Sequence, residues 1–211
     1  MRPFSAKERK EIADAITAAE AKTSGEIVVV AANASGGYYA NAVMWAALAA
    51  LTVPLPLIHA TQMPIEYIYL IQLAVFFVLG VSLTQLESLR FAIVPAGVKR
   101  ARAHQRAVDQ FLVQNMHTTE GRTGVLIYVS FAERYVEVIA DNGIYKKVPH
   151  QTWEGVVTKL THHLAHGERT KGLVEAIATC GKVLAQHFPP DQGHKDELPN
   201  HLIVLDGYRG Y

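Results

Sequence analysis

The sequence predicts an α/β fold, a layered sandwich around a small mixed sheet with an inserted transmembrane helical hairpin. Three observations carry that reading. From Ile27 to Leu86, sixty residues, Glu66 is the only formally charged side chain. β-Branched and aromatic runs stand at 26–32, 124–130 and 134–140. Segments with helical apolar spacing flank those runs on both sides.

The chain opens on SAKE, Ser5 to Glu8, a capping box in which the Ser5 hydroxyl accepts from the Glu8 backbone while the Glu8 carboxylate reaches back. Ile12, Ala15, Ile16 and Ala19 then share one helical face. TSG at 23–25 breaks this helix and leads into EIVVVAA, 26–32, a continuous apolar run of the kind that forms a strand buried on both faces.

The charge-poor run divides at MPIE, 63–66, into stretches of about 40–60 and 67–86, each long enough as a helix to cross about 30 Å of hydrocarbon. Pro54 and Pro56 should kink or end the first. Tyr38, Tyr39, Tyr67 and Tyr69 fall where interfacial anchors belong, and His59 sits at the end of the first crossing. Arg2, Lys7, Arg9, Lys10 and Lys22 precede the hairpin; Arg90, Lys99, Arg100, Arg102 and Arg106 follow it; the connecting turn has no Lys or Arg. Positive charge on both flanks places both termini in the cytoplasm of a multi-pass protein of the cell inner membrane. The expected organisation is a soluble domain from 1–38 and 87–190, a two-helix insertion at 39–86, and a C-terminal tail at 191–211.

Beyond the hairpin, PAG at 95–97 marks a boundary, and Val98 to about Met116 reads as a helix with Val108, Phe111 and Leu112 inward and the basic residues outward. HTTEGRTG is a loop. GVLIYVS, 124–130, and RYVEVIA, 134–140, lie three residues apart, which makes an antiparallel hairpin. In the second strand Val136, Val138 and Ala140 alternate with Tyr135, Glu137 and Ile139. DNG at 141–143 ends it in turn chemistry: Asp caps its own backbone, and Asn and Gly tolerate positive φ. Two helices follow, one with Trp153, Val156, Val157, Leu160 and Leu164 on a face and one with Leu173, Ile177, Cys180, Gly181 and Leu184, separated at Gly167 and closed by Pro189. HLIVL, 201–205, could add an edge strand, pack on the hairpin or bind a partner.

With 20 Lys and Arg against 19 Asp and Glu, no global field favours nucleic acid. The basic run KRARAHQR, 99–106, reads as a solvated face or a contact with anionic headgroups. Cys180 lies on an apolar helix face as a small buried hydrophobe, and Gln186 six residues on rules out a cysteine and arginine phosphate loop. No Gly-rich phosphate loop or G-x-S-x-G turn is present. His162 and His166 have i, i+4 spacing that can ligate zinc, but no glutamate stands between them as in HExxH, and a solvated face is the expected role. No metal site is predicted.

Four phrases in register, TSGEIVVV, GVLIYVSFAERYVEVIADNGI at 124–144, W followed by GVVTKL at 153–160, and GLVEAIATCGKVLAQHFP at 172–189, resemble the TPM domain, named for plant thylakoid proteins and widespread in bacteria. The chain looks like the membrane-bound bacterial branch, in which two crossings are inserted after the first strand. The resemblance implies an α/β/α sandwich. It also implies acid phosphatase activity or calcium binding, placed in other members near acidic loops at one end of the sheet.

Here those acids are largely replaced: Glu120, Gly121, Arg122 and Thr123 precede GVLIYVS, with arginine where such members carry aspartate, and VPHQTWEG occupies 148–155. Asp141 remains, and calcium generally needs several carboxylates. No cofactor is therefore expected. The expectation is a non-enzymatic adaptor or assembly and quality-control factor, with the lipid bilayer, other membrane proteins and a second copy of itself as candidate partners. The alternative is a phosphate-ester hydrolase in which Asp141 is the acidic residue, Arg122 stabilises developing charge, and Glu120 or Glu154 assists.

Overall fold

The computed structural model describes residues 3–190 and 198–205, without the side chain of Glu120. The tail expected at 191–211 therefore lies outside the described residues except for 198–205. The chain forms two compact units, one from residues up to Ser35 together with those from Arg100 onward, the other Gly36–Lys99.

The first unit is an α/β/α sandwich. Helix α1 (Ala6–Glu20) starts with the expected capping box, Ser5 N–H donating to Glu8 Oε2 at 2.7 Å and Glu8 N–H to Ser5 Oγ at 3.2 Å. Strand β1 (Glu26–Ala32) is buried at every residue. It pairs in parallel with β2 (Gly124–Ser130), from Glu26 opposite Gly124 to Ala32 opposite Ser130. Strand β3 (Tyr135–Ala140) returns antiparallel to β2, and β4 (Leu202–Leu205) joins β1 in parallel, giving the order β3-β2-β1-β4. Of the three roles open to the 201–205 segment, the structure shows the edge strand.

Strand alternation sends the two sets of side chains to opposite faces. Ile27, Val29, Ala31, Val125, Ile127, Val129, Val138 and Ala140 pack with Ile12 and Ile16 of α1, with Trp153, Val156 and Leu160 of one late helix (His150–Ala165), and with Leu173, Ile177, Cys180 and Leu184 of another (Arg169–His187). Val28, Val30, Ala32, Leu126 and Tyr128 pack with Ala107, Phe111 and Met116.

The helix carrying Ala107 and Phe111 runs Ala96–Val113 and differs from its expected register. Its buried residues are Ala103, Ala107, Gln110 and Phe111, while Leu112 is 52% exposed. The stripe follows i, i+4, i+7 and i+8, and half of it is alanine, which carries too little apolar surface to stand out in the sequence.

The second unit holds α2 (Tyr39–Thr52), α3 (Pro54–Ala60), α4 (Ile65–Gln85) and α5 (Glu87–Ile93). The helix of Ala96–Val113 is thus α6, the turn Asn142–Tyr145 is α7, and the two late helices are α8 and α9. As expected, the first apolar stretch breaks at the prolines: Pro54 has no N–H to continue the ladder, and Val53 N–H bonds back to Ala50 O at 3.2 Å. Ala42, Ala46 and Ala50 form the buried stripe of α2, and α2 packs against α4.

Tyr39–Ala60 and Ile65–Gln85, 22 and 21 residues, are long and apolar enough to cross a membrane. Tyr39, Tyr67 and Tyr69 are exposed, as interfacial anchors would be. Tyr38 is not: left-handed at φ 54°, it is buried edge-on against Phe91, with ring centroids 5.2 Å apart.

Candidate functional site

Asp141 closes the antiparallel ladder, its N–H donating to Gly124 O at 2.9 Å. Its backbone is extended and its Oδ1 accepts from Asn142 N–H at 2.6 Å, so the side chain caps α7 as the sequence suggested. Positive φ plays no part here, since neither Asn142 nor Gly143 is left-handed. Gly143 is needed instead for close approach: a Cβ there would stand 2.4 Å from Gly121 O and 2.5 Å from Arg122 O. The missing side chain lets α7 lie directly on the segment before β2.

That segment turns through two successive left-handed residues, Gly121 at φ 80° and Arg122 at φ 56°. The turn brings Arg122 Nη1 to 3.8 Å from Asp141 Oδ2, an ion pair without a hydrogen bond. The Arg122 side chain is 55% exposed and that of Asp141 only 6%. Oδ2 is buried and, among the described residues, has no hydrogen-bond partner. The two sequence-predicted residues thus meet at the amino ends of the parallel strands.

Among the described residues no contact brings Glu154, one of the two named helpers, to the pair. Glu154 faces solvent on α8 with His150 Nδ1 at 3.5 Å, and the Glu120 side chain lies outside the described residues. Among the described residues no group of three or more His, Cys, Asp or Glu is gathered in a way that could hold a metal ion.

At the carboxyl ends of β1 and β2 the structure builds a second polar cluster. Ser35 Oγ lies 2.8 Å from the Tyr128 hydroxyl and donates to Ser130 Oγ at 2.8 Å; Ser130 Oγ donates to Glu133; Ser35 N–H donates to Glu133 Oε1 at 2.9 Å. Burial holds the Tyr128 phenol above its usual pKa. The cluster locks the β2–β3 turn to the end of β1. Sequence reasoning missed it, since Ser35 and Ser130 become neighbours only through the parallel pairing; a hydroxyl at each strand end was the only trace.

His162 and His166 lie on the solvated helix face expected of them. His162 is exposed with its ring 4.4 Å from that of His166, whose Nδ1 lies 2.8 Å from His162 O. His163 is the engaged residue: Nδ1 lies 2.7 Å from Glu168 Oε2 and Nε2 3.0 Å from Glu175 Oε2, with the side chain 15% exposed. Hydrogen bonding to Glu168, then to Glu175, raises its pKa. Cys180 is fully enclosed, and burial pushes its thiol up to about 12, which makes it inert.

Comparison with known proteins follows the same lines. Residues 85–183 match the model of the TPM domain. The fold is shared with the NMR structure of the BA42 protein from the psychrophilic bacterium Bizionia argentinensis, at 23% identity and a TM-score of 0.60, with 96% of each chain covered. A search of curated proteins gives no match. The likeness to the TPM domain thus falls on residues 85–183, the segment that holds α5, α6, β2, β3, α7, α8 and most of α9.

Proposed function

We propose that this is a membrane-anchored TPM-domain protein of the bacterial inner membrane, held by a two-helix hairpin with both flanks in the cytoplasm, and that it acts non-enzymatically as an adaptor or an assembly and quality-control factor for other membrane proteins. The observation that carries the anchoring is the surface of the two long helices. Their apolar windows are only 17% and 6% buried, unlike the core helices of a soluble protein, and Leu55, Leu70, Phe77 and Val78 face outward. Such a surface is stable against lipid and costly against water.

The non-enzymatic reading is supported by the state of Asp141. One carboxylate oxygen is committed to capping α7 and the other is enclosed behind Arg122, so the group serves the turn. The 3.8 Å approach of Arg122 is what a hydrolase reading would use. Crosslinking the full chain in native membranes should yield specific membrane-protein adducts. The purified full chain should hydrolyse p-nitrophenyl phosphate no faster than the Asp141→Asn variant, with or without divalent metal. Turnover that Asp141→Asn abolishes would replace the adaptor reading with the hydrolase.

A further inference from the structure

A cavity of about 390 Å³ opens between the β2–β3 turn and the C-terminal half of α8. Phe131, Val136 and Leu164 supply its apolar walls, Thr161 a hydroxyl, and Arg134 its one ionic group. The volume falls at the small end of the range for small-molecule sites, about 300–1,000 Å³. A site with apolar walls and a single cation selects a compact apolar body carrying one anionic group.

Two further observations concern Arg134. Arg134 is exposed, and among the described residues no hydrogen bond or ion pair engages its guanidinium. Its backbone is left-handed at φ 51°, a position in a hairpin turn where glycine or asparagine is the unstrained choice. The strained arginine is held by a rigid turn. Phe131 N–H donates to Ala32 O at 3.1 Å, Ala132 N–H to Asn33 O at 3.0 Å, and Glu133 receives both Ser130 Oγ and Ser35 N–H. An unpaired cation beside a preformed apolar cavity on such a turn is the arrangement of an anion-orienting group.

We infer that this cavity is a binding site for a single-chain carboxylate, with the alkyl chain against Phe131, Val136 and Leu164 and the carboxylate on Arg134. A two-chain phospholipid exceeds the cavity. The site is distinct from Asp141 and Arg122, which stand at the other end of β2.

The test is a titration of the full chain in lipid nanodiscs of fixed composition with octanoate, read from the methyl NMR shifts of Val136 and Leu164. Saturable shifts are expected. Arg134→Gly suits the left-handed backbone and so keeps the turn; it should weaken octanoate about tenfold and leave 1-octanol unchanged. Thr161→Trp, at an exposed helix position lining the cavity, should block both probes. Absence of saturable shifts, or octanoate affinity that Arg134→Gly does not alter, would overturn the inference.

Discussion

At Gly143 a single hydrogen atom decides how the β3 end is built. Alanine there would force its Cβ into the carbonyls of Gly121 and Arg122, neither of which can swing away as a side-chain tip could. Gly143→Ala is expected to destabilise the fold by about 1–3 kcal/mol in denaturant titration, and to loosen the Arg122 approach to Asp141. His163 supplies a pH test. Its pKa is raised above the unfolded value of about 6.5, so its contribution is fully present below that pH and is lost as pH rises through the folded value. The gap in Tm between the native chain and His163→Gln should therefore be open at pH 5.5 and closed at pH 9. Hydrogen bonds from His163 and then from Lys171, at 3.2 Å, lower the Glu168 pKa. Asp141 as a cap was legible, since DNG names its own chemistry. Its pairing with Arg122 was legible as a candidate from two loops at one end of the sheet, but the left-handed backbone that delivers Arg122 was not, because glycine would have been the signal.

Among the elements, β1 was the most legible and α6 the least. Seven apolar or enclosed positions in a row announce a central strand, and the ladder shows partners on both sides. In α6 the stripe is carried by Ala103 and Ala107, so the larger Leu112 drew the reading one residue round the helix. Alanine is equally decisive in α2, where Ala42, Ala46 and Ala50 set the distance to α4. Ala46→Leu should lower stability by about 1–3 kcal/mol, while Val78→Ala on the outward face of α4 should change it little; thermal unfolding in lipid nanodiscs compares the two. The 201–205 segment was undecided for a physical reason. A short apolar run fits any edge, and only the exposed side of β1 selects it.

For the molecule as a whole, the topology can be read with a thiol. Cys180, the sole cysteine, is enclosed and inert, so the native chain provides a silent background for cysteine labelling. In intact cells a membrane-impermeant maleimide should label Met63→Cys, in the turn between the two long helices, and should leave Lys7→Cys unlabelled until the inner membrane is opened. Labelling of Lys7→Cys in intact cells would reverse the proposed orientation. The two long apolar helices were legible from charge alone, since sixty residues from Ile27 to Leu86 hold one formally charged side chain. The work of the attached domain was not, because Asp141 and Arg122 satisfy each other's charge in a way that serves both a turn and a site.

The interruption between β1 and β2 also governs the order of synthesis. Glu26 to Ala32 leave the ribosome before their partners, Gly124 to Ser130 on one side and Leu202 to Leu205 on the other, and both long helices are made in between. Until then EIVVVAA is an unpaired, charge-poor β segment with two open edges, the kind of sequence that self-associates. β1 is thus made before either of its neighbours, and its two edges close only once β2 and then β4 have been synthesised.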